Sequence, residues 1–164
     1  MIEISQEKKQ SKLDAAINQF LRELGEGNVS SQNGFKDLLN NKYSIIRAIR
    51  KGVPFYLFDQ IKNVSPFDEN DWADYLNIST KTLQRHQKEK NYVFKPIHSE
   101  KIFELAEVTN RGIEVFGLPD KFHNWLFTSS HALGKMKPVE LVKDSYGKEL
   151  VMSELNRIEY GVFV

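Results

Sequence analysis

The stretch FDENDWADYLNISTKTLQRHQKEK, residues 67–90, constrains the fold of this chain more than any other part of it. Asp68 is a good N-cap, and acids follow it in the first turn, where the helix dipole favours negative charge. Trp72 and Leu76 stand four residues apart and share one helical face. Ala73 beside them is small enough for a second helix to approach closely. Asn77 marks a break, because asparagine tolerates the left-handed backbone of a tight turn. Ser79 then caps a second helix whose inward residue is Leu83. A short helix, a four-residue turn and a capped second helix form the pattern of a helix-turn-helix, with Asn77 in the place usually held by glycine.

In that pattern the second helix turns Ser79, Thr80, Lys81, Gln84 and Arg85 outward, with Lys88 and Lys90 nearer a phosphate backbone. These side chains suit base edges and phosphates in a major groove. Charge agrees locally. Net charge is only +1, but residues 79–95 hold five cations (Lys81, Arg85, Lys88, Lys90, Lys95) against the single acid Glu89. Residues 99–164 lean acidic, with ten Asp/Glu against eight Lys/Arg. A helical pair with a solvated polar face fits the same residues, as does a helix-turn-helix kept as a dimerisation scaffold.

The rest of the chain repeats every 3.6 residues, and no segment alternates over strand length, so the expected class is all-α with about eight to ten helices. Leu13, Ala16, Ile17, Phe20, Leu21 and Leu24 make one apolar stripe, with Ser11 as the expected cap and Gly25 and Gly27 as the stop. Residues 28–34 read as a loop. A helix over 43–50 turns Ile45, Ile46 and Ile49 inward, Gly52 closes it, and Pro54 opens the next through Phe55, Leu57, Phe58 and Ile61. Ser99 is the expected cap of a helix carrying Ile102, Phe103, Leu105, Ala106 and Ile113. A turn at Tyr146-Gly147 leads to a last helix with Val151, Leu155 and Ile158 inward. Trp72 and Trp125 read as core residues.

Several chemistries have no footing. Cysteine is absent, which removes disulfides and thiolate metal sites, and a cytoplasmic location is the simplest expectation. No apolar run approaches the ~20 residues that span a bilayer, so no membrane partner is expected. His86, His98, His123 and His131 lack paired metal spacing, no glycine-rich phosphate loop follows a strand, and Ser129-Ser130-His131 has no placed acid. No enzyme, metal or cofactor is expected.

The C-terminal third carries an ordered series: Val115-Phe116-Gly117, Trp125-Leu126, Leu133-Gly134, Pro138 opening a short helix, Gly147, then Leu155-Asn156-Arg157-Ile158-Glu159-Tyr160-Gly161-Val162. This series resembles the Xre/MbcA/ParS antitoxin family, whose toxin-binding domain runs through the same elements in the same order. Thr82-Leu83-Gln84-Arg85 and Gly52-Val53-Pro54 resemble the Xre-like helix-turn-helix half of those proteins, and the likeness covers residues 40–164. Lys135 after Gly134 and Leu141-Val142 in the short helix depart from the family's frequent second glycine and Leu-Leu pair. The resemblance implies an antitoxin of a type II toxin–antitoxin pair. Its implied partner is a RES-domain toxin that consumes NAD, with repression of its own operon through operator DNA and a homodimer or higher assembly. The alternative is a stand-alone helix-turn-helix transcriptional regulator.

The division expected from sequence is an N-terminal helix and loop over 1–39, the helix-turn-helix domain over 40–95 and the toxin-binding domain over 96–164. The stripe from Leu13 to Leu24 is a candidate dimer interface that serves equally well for packing within its own domain. Tyr160, Val162, Phe163 and Val164 are large and apolar where chain ends are usually polar. They either fold back on the core or enter a partner. In the second reading Gly161 supplies the bend, and Arg157, Glu159 and Tyr160 anchor the tail at a cleft rim.

Overall fold

A computed structural model of the chain describes residues 1–26 and 34–161. It holds ten α-helices among those residues, with a single 3-10 turn and one isolated bridge between Pro54 and Val93 in place of any strand. The all-α expectation is met. The chain divides into two compact units, Met1–Phe103 and Glu104 onward.

The first unit is built from α1 (Ile2–Glu23), α2 (Gly34–Asn40), α3 (Lys42–Lys51), α4 (Phe55–Val64), α5 (Glu69–Tyr75), α6 (Thr80–Lys88) and the start of α7 (Pro96–Phe116). The stripe of α1 packs on α4, burying Leu13, Ala16, Ile17, Phe20 and Leu21 alongside Leu57, Phe58 and Ile61. That settles its use inside the unit. Helix α1 also begins much earlier than Ser11, at Ile2, so Ser11 lies within it and caps nothing. Polar residues 2–12 are good helix formers, and an exposed helical extension needs no apolar stripe. The expected stop at Gly27 and most of the 28–34 loop lie outside the described residues, and Gly34 opens the short α2. In α3 the buried side chains are Ser44, Ile45 and Ala48, while Ile46 is exposed, so the inward face is one residue out of phase with the three-isoleucine reading.

An edge-to-face aromatic cluster fills the centre. Phe58 meets Trp72 at 5.2 Å and Phe94 at 4.9 Å between ring centroids, and Phe67 meets Trp72 at 5.9 Å. The indole N–H of Trp72 donates to the Ser65 hydroxyl at 3.1 Å, which satisfies its one polar atom. Pro54 is the N-cap of α4, one position ahead of its expected place in the first turn. The Val53-Pro54 segment zips against 92–94: Phe94 N–H donates to Val53 C=O at 2.8 Å and Phe55 N–H to Tyr92 C=O at 2.9 Å. Gly52, at φ 93°, lies against the Phe94 carbonyl where a Cβ has no room. Ser99 sits inside α7 and is fully buried, so it caps no helix. Its hydroxyl accepts the Val53 N–H at 2.9 Å and donates to Phe94 C=O at 3.3 Å.

The second unit comprises the remainder of α7, α8 (Pro119–Leu126), a 3-10 turn (His131–Leu133), α9 (Pro138–Leu141) and α10 (Ser145–Glu159). Asp144 caps α10, its carboxylate accepting the Gly147 N–H at 2.7 Å. Tyr146-Gly147 is therefore the first turn of the helix, in place of the turn preceding it. Gly112 gives α7 the close approach that the Phe122 ring requires. Phe122, Leu126, Leu133, Val142, Val151 and Leu155 are buried. Trp72 is fully buried as expected, whereas Trp125 is only half-buried, packed beside Phe116 at 5.6 Å.

Candidate functional site

Two surfaces concentrate the sequence-predicted residues. The first is the outer side of α6. Asp68 and Asp71 close a reciprocal capping box at the start of α5: Asp71 N–H donates to Asp68 at 2.8 Å, and Asp68 N–H to Asp71 at 3.0 Å. Asn77 takes φ 55°, the left-handed value the turn needs. Ser79 caps α6 by accepting Thr82 N–H at 3.0 Å, and Leu83 is buried. With these anchors in place, Lys81, Gln84, Arg85 and Lys88 are exposed, Thr80 is half-buried, and Ser79 is exposed with its hydroxyl engaged in the cap. His86 is the inward partner of Leu83 and stacks on Tyr92 at 3.7 Å.

The electrostatics are more mixed than the 79–95 window suggests. Gln84 donates to Glu69 at 3.3 Å, and Arg85 lies 3.5 Å from Glu89. Helix α5 brings Asp68, Glu69, Asp71 and Asp74 into the same motif. Five acids and four cations thus share residues 68–90. Burial is the main influence raising the Asp71 carboxyl above its ordinary range, with repulsion from Asp68 and Asp74 adding to it.

The second surface is the end of α10. Arg111 gathers the last turn: its Nε donates to Asn156 at 2.8 Å, one terminal nitrogen to Glu114 at 3.2 Å, and the other to Glu159. Glu159 is thereby committed to an internal ion pair. Arg157 pairs with Glu154 at 3.0 Å. Tyr160, the C-cap, is 76% exposed, and Gly161 follows at φ 66°, a left-handed bend that glycine accepts freely. Val162, Phe163 and Val164 lie outside the described residues.

Sequence reasoning missed the Arg111 cluster and two exposed apolar side chains on α10, Tyr146 and Leu150. The signal was present: Tyr146, Leu150, Ser153 and Arg157 follow helical spacing. Reading Tyr146-Gly147 as a turn removed the first of them from the helix.

Both surfaces lie within segments that match known families. Residues 44–107 match the antitoxin Xre-like helix-turn-helix domain, and residues 111–161 match the antitoxin Xre/MbcA/ParS C-terminal toxin-binding domain. Among solved structures, the chain is similar to a chain of the crystal structure of the M. tuberculosis MbcT-MbcA toxin-antitoxin complex. Identity is 24% and the TM-score 0.53, over 65% of this chain and 94% of that one, which is a likeness of fold. No match is found among curated proteins.

Proposed function

Because the chain belongs to the Xre/MbcA/ParS antitoxins, carrying their helix-turn-helix and then their toxin-binding domain, we propose that it neutralises a RES-domain toxin that consumes NAD. The observation that carries this reading is the toxin-binding match over 111–161. It coincides with a hydrogen-bonded helical unit that ends on the exposed Tyr160 and the bend at Gly161. In this reading the tail formed by Tyr160, Gly161, Val162, Phe163 and Val164 enters the toxin's cleft and occupies the NAD site. Arg157 and Glu159 act on the helical turn that aims the tail.

The second half of the proposal is operator binding in the cytoplasm by a dimer. Lys81, Gln84 and Arg85 face the major groove, Lys88 a phosphate, and Ser79 and Thr80 lie at the helix start where it meets the backbone. Two half-sites read by two copies give the affinity that one motif lacks. The acids of α5 place negative charge in the same motif, which lowers its attraction for phosphate.

Co-expression with the protein of the adjoining reading frame, followed by size-exclusion chromatography, tests the antitoxin reading. A stable complex of the two is the expected result. Separate elution of two folded proteins would defeat it.

A further inference from the structure

We propose that the outer face of α10 is a docking ridge for the toxin, meeting the tail only at Tyr160 and responsible for holding the complex together. This rests on the antitoxin reading given above. Tyr146, Leu150, Ser153, Arg157 and Tyr160 recur at helical spacing and fall within about 80° of one another at ~100° per residue. Tyr146 is 84% exposed, Leu150 54% and Tyr160 76%. The opposite face of the same helix is consumed by the fold: Gly147, Val151 and Leu155 are buried. The ridge runs over 15 residues from Tyr146 to Tyr160, a length of about 21 Å at 1.5 Å rise per step.

Its chemistry is that of a protein contact. Two tyrosines and a leucine stand free, Ser153 between them is small, and Arg157 is neutralised by Glu154. Tyrosine is among the residue types enriched at protein interfaces and among their anchors. The exposed side of α6 is different, offering Lys81, Gln84, Arg85 and Lys88 with no large apolar side chain among them.

Two observations select the toxin as the occupant. The toxin-binding match covers the whole of α10, and the ridge runs directly into the tail through Tyr160 and Gly161. A partner engaged by the tail therefore lies beside the ridge. Division of labour follows: the ridge supplies affinity, and the tail blocks the active site.

The test uses the full chain with Tyr146→Ala, Leu150→Ala or Leu150→Glu, and the purified protein of the adjoining reading frame as the probe. Dissociation constants are measured by calorimetry, with melting temperature and far-UV circular dichroism as folding controls. Each alanine variant should weaken the complex by about tenfold or more, and Leu150→Glu further, since a buried unpaired charge adds its own penalty. Melting should stay at the unaltered value, because both side chains face solvent. Equal affinity of all three variants and the unaltered chain would overturn the ridge while leaving the antitoxin reading intact. So would loss of self-association, seen by light scattering, with toxin affinity unchanged, which would assign the face to a second copy. Failure of the unaltered chain to bind the probe would remove the antitoxin reading and the ridge with it.

Discussion

Gly147 packs so closely under the Leu141 carbonyl that no Cβ fits between them. The contact brings the end of α9 onto the first turn of α10, and the Asp144 cap fixes the same turn from the other side. The Leu141 carbonyl is backbone, so that contact cannot yield by a change of rotamer. Gly147→Ala should therefore push α9 off α10. We expect a loss of about 1–3 kcal/mol or more, the range of overpacked cores, with melting of the C-terminal unit and loss of toxin binding. Urea unfolding followed by far-UV circular dichroism checks it; an unchanged midpoint would show that the turn relaxes freely.

The two tryptophans should differ. Trp72 is fully buried, in edge contact with Phe58 and Phe67 and hydrogen-bonded to Ser65. Trp72→Ala should cost ~3–5 kcal/mol. Trp125 is half-buried and rests on Phe116 and Phe122. Trp125→Ala should cost clearly less and leave the helices of its unit formed, measured by the same unfolding curves.

On DNA, Gln84→Ala and Arg85→Ala should each lose ~1–3 kcal/mol of operator affinity and relax sequence preference. Lys88→Ala should weaken binding on every sequence and lower the salt slope by about one. Glu69→Gln should strengthen binding by removing a charge that repels phosphate, while the hydrogen bond from Gln84 can persist to the amide oxygen. Gel shifts across a salt series measure all four. Equal loss of toxin binding in Arg85→Ala would make that residue structural.

Acid should destabilise the first unit through His98. Burial pushes its imidazole below the ordinary value of 6.5, with repulsion from Lys95 and His86 adding to it. Its buried Nδ1 has no hydrogen-bond partner among the described residues. The folded state thus binds the proton less readily than the unfolded chain, so stability is full above pH 6.5 and declines as pH falls below it. Melting curves between pH 7.5 and 5 should show a decline that is smaller in His98→Gln. An identical decline in both would place the acid sensitivity elsewhere.

The helix-turn-helix was legible because each of its signals is local: Asp68 and Ser79 as caps, Asn77 in the left-handed region, Leu83 inward. Where the sequence reading went astray, a tertiary contact had overridden a local one. Ser99 looks like a cap but is buried to serve Val53, and Gly147 looks like a turn but is required by Leu141. Arg111, 45 and 48 residues away from its partners on α10, carries no local signal at all. The outer face of α6 was half legible: its cations lie in one sequence window, whereas the pairing of Gln84 with Glu69 of α5 appears only when the motif folds.

The most direct test of the central claim is NAD consumption by the purified toxin with the full-length chain and with a chain shortened after Tyr160, which keeps the whole α10 ridge. The full-length chain should abolish consumption at equal stoichiometry. The shortened chain should remain folded, still bind through α10, and leave consumption near the rate of free toxin. Full inhibition by the shortened chain would contradict the account and assign neutralisation to the helical surface alone. Unhindered consumption in the presence of the full-length chain would contradict it altogether.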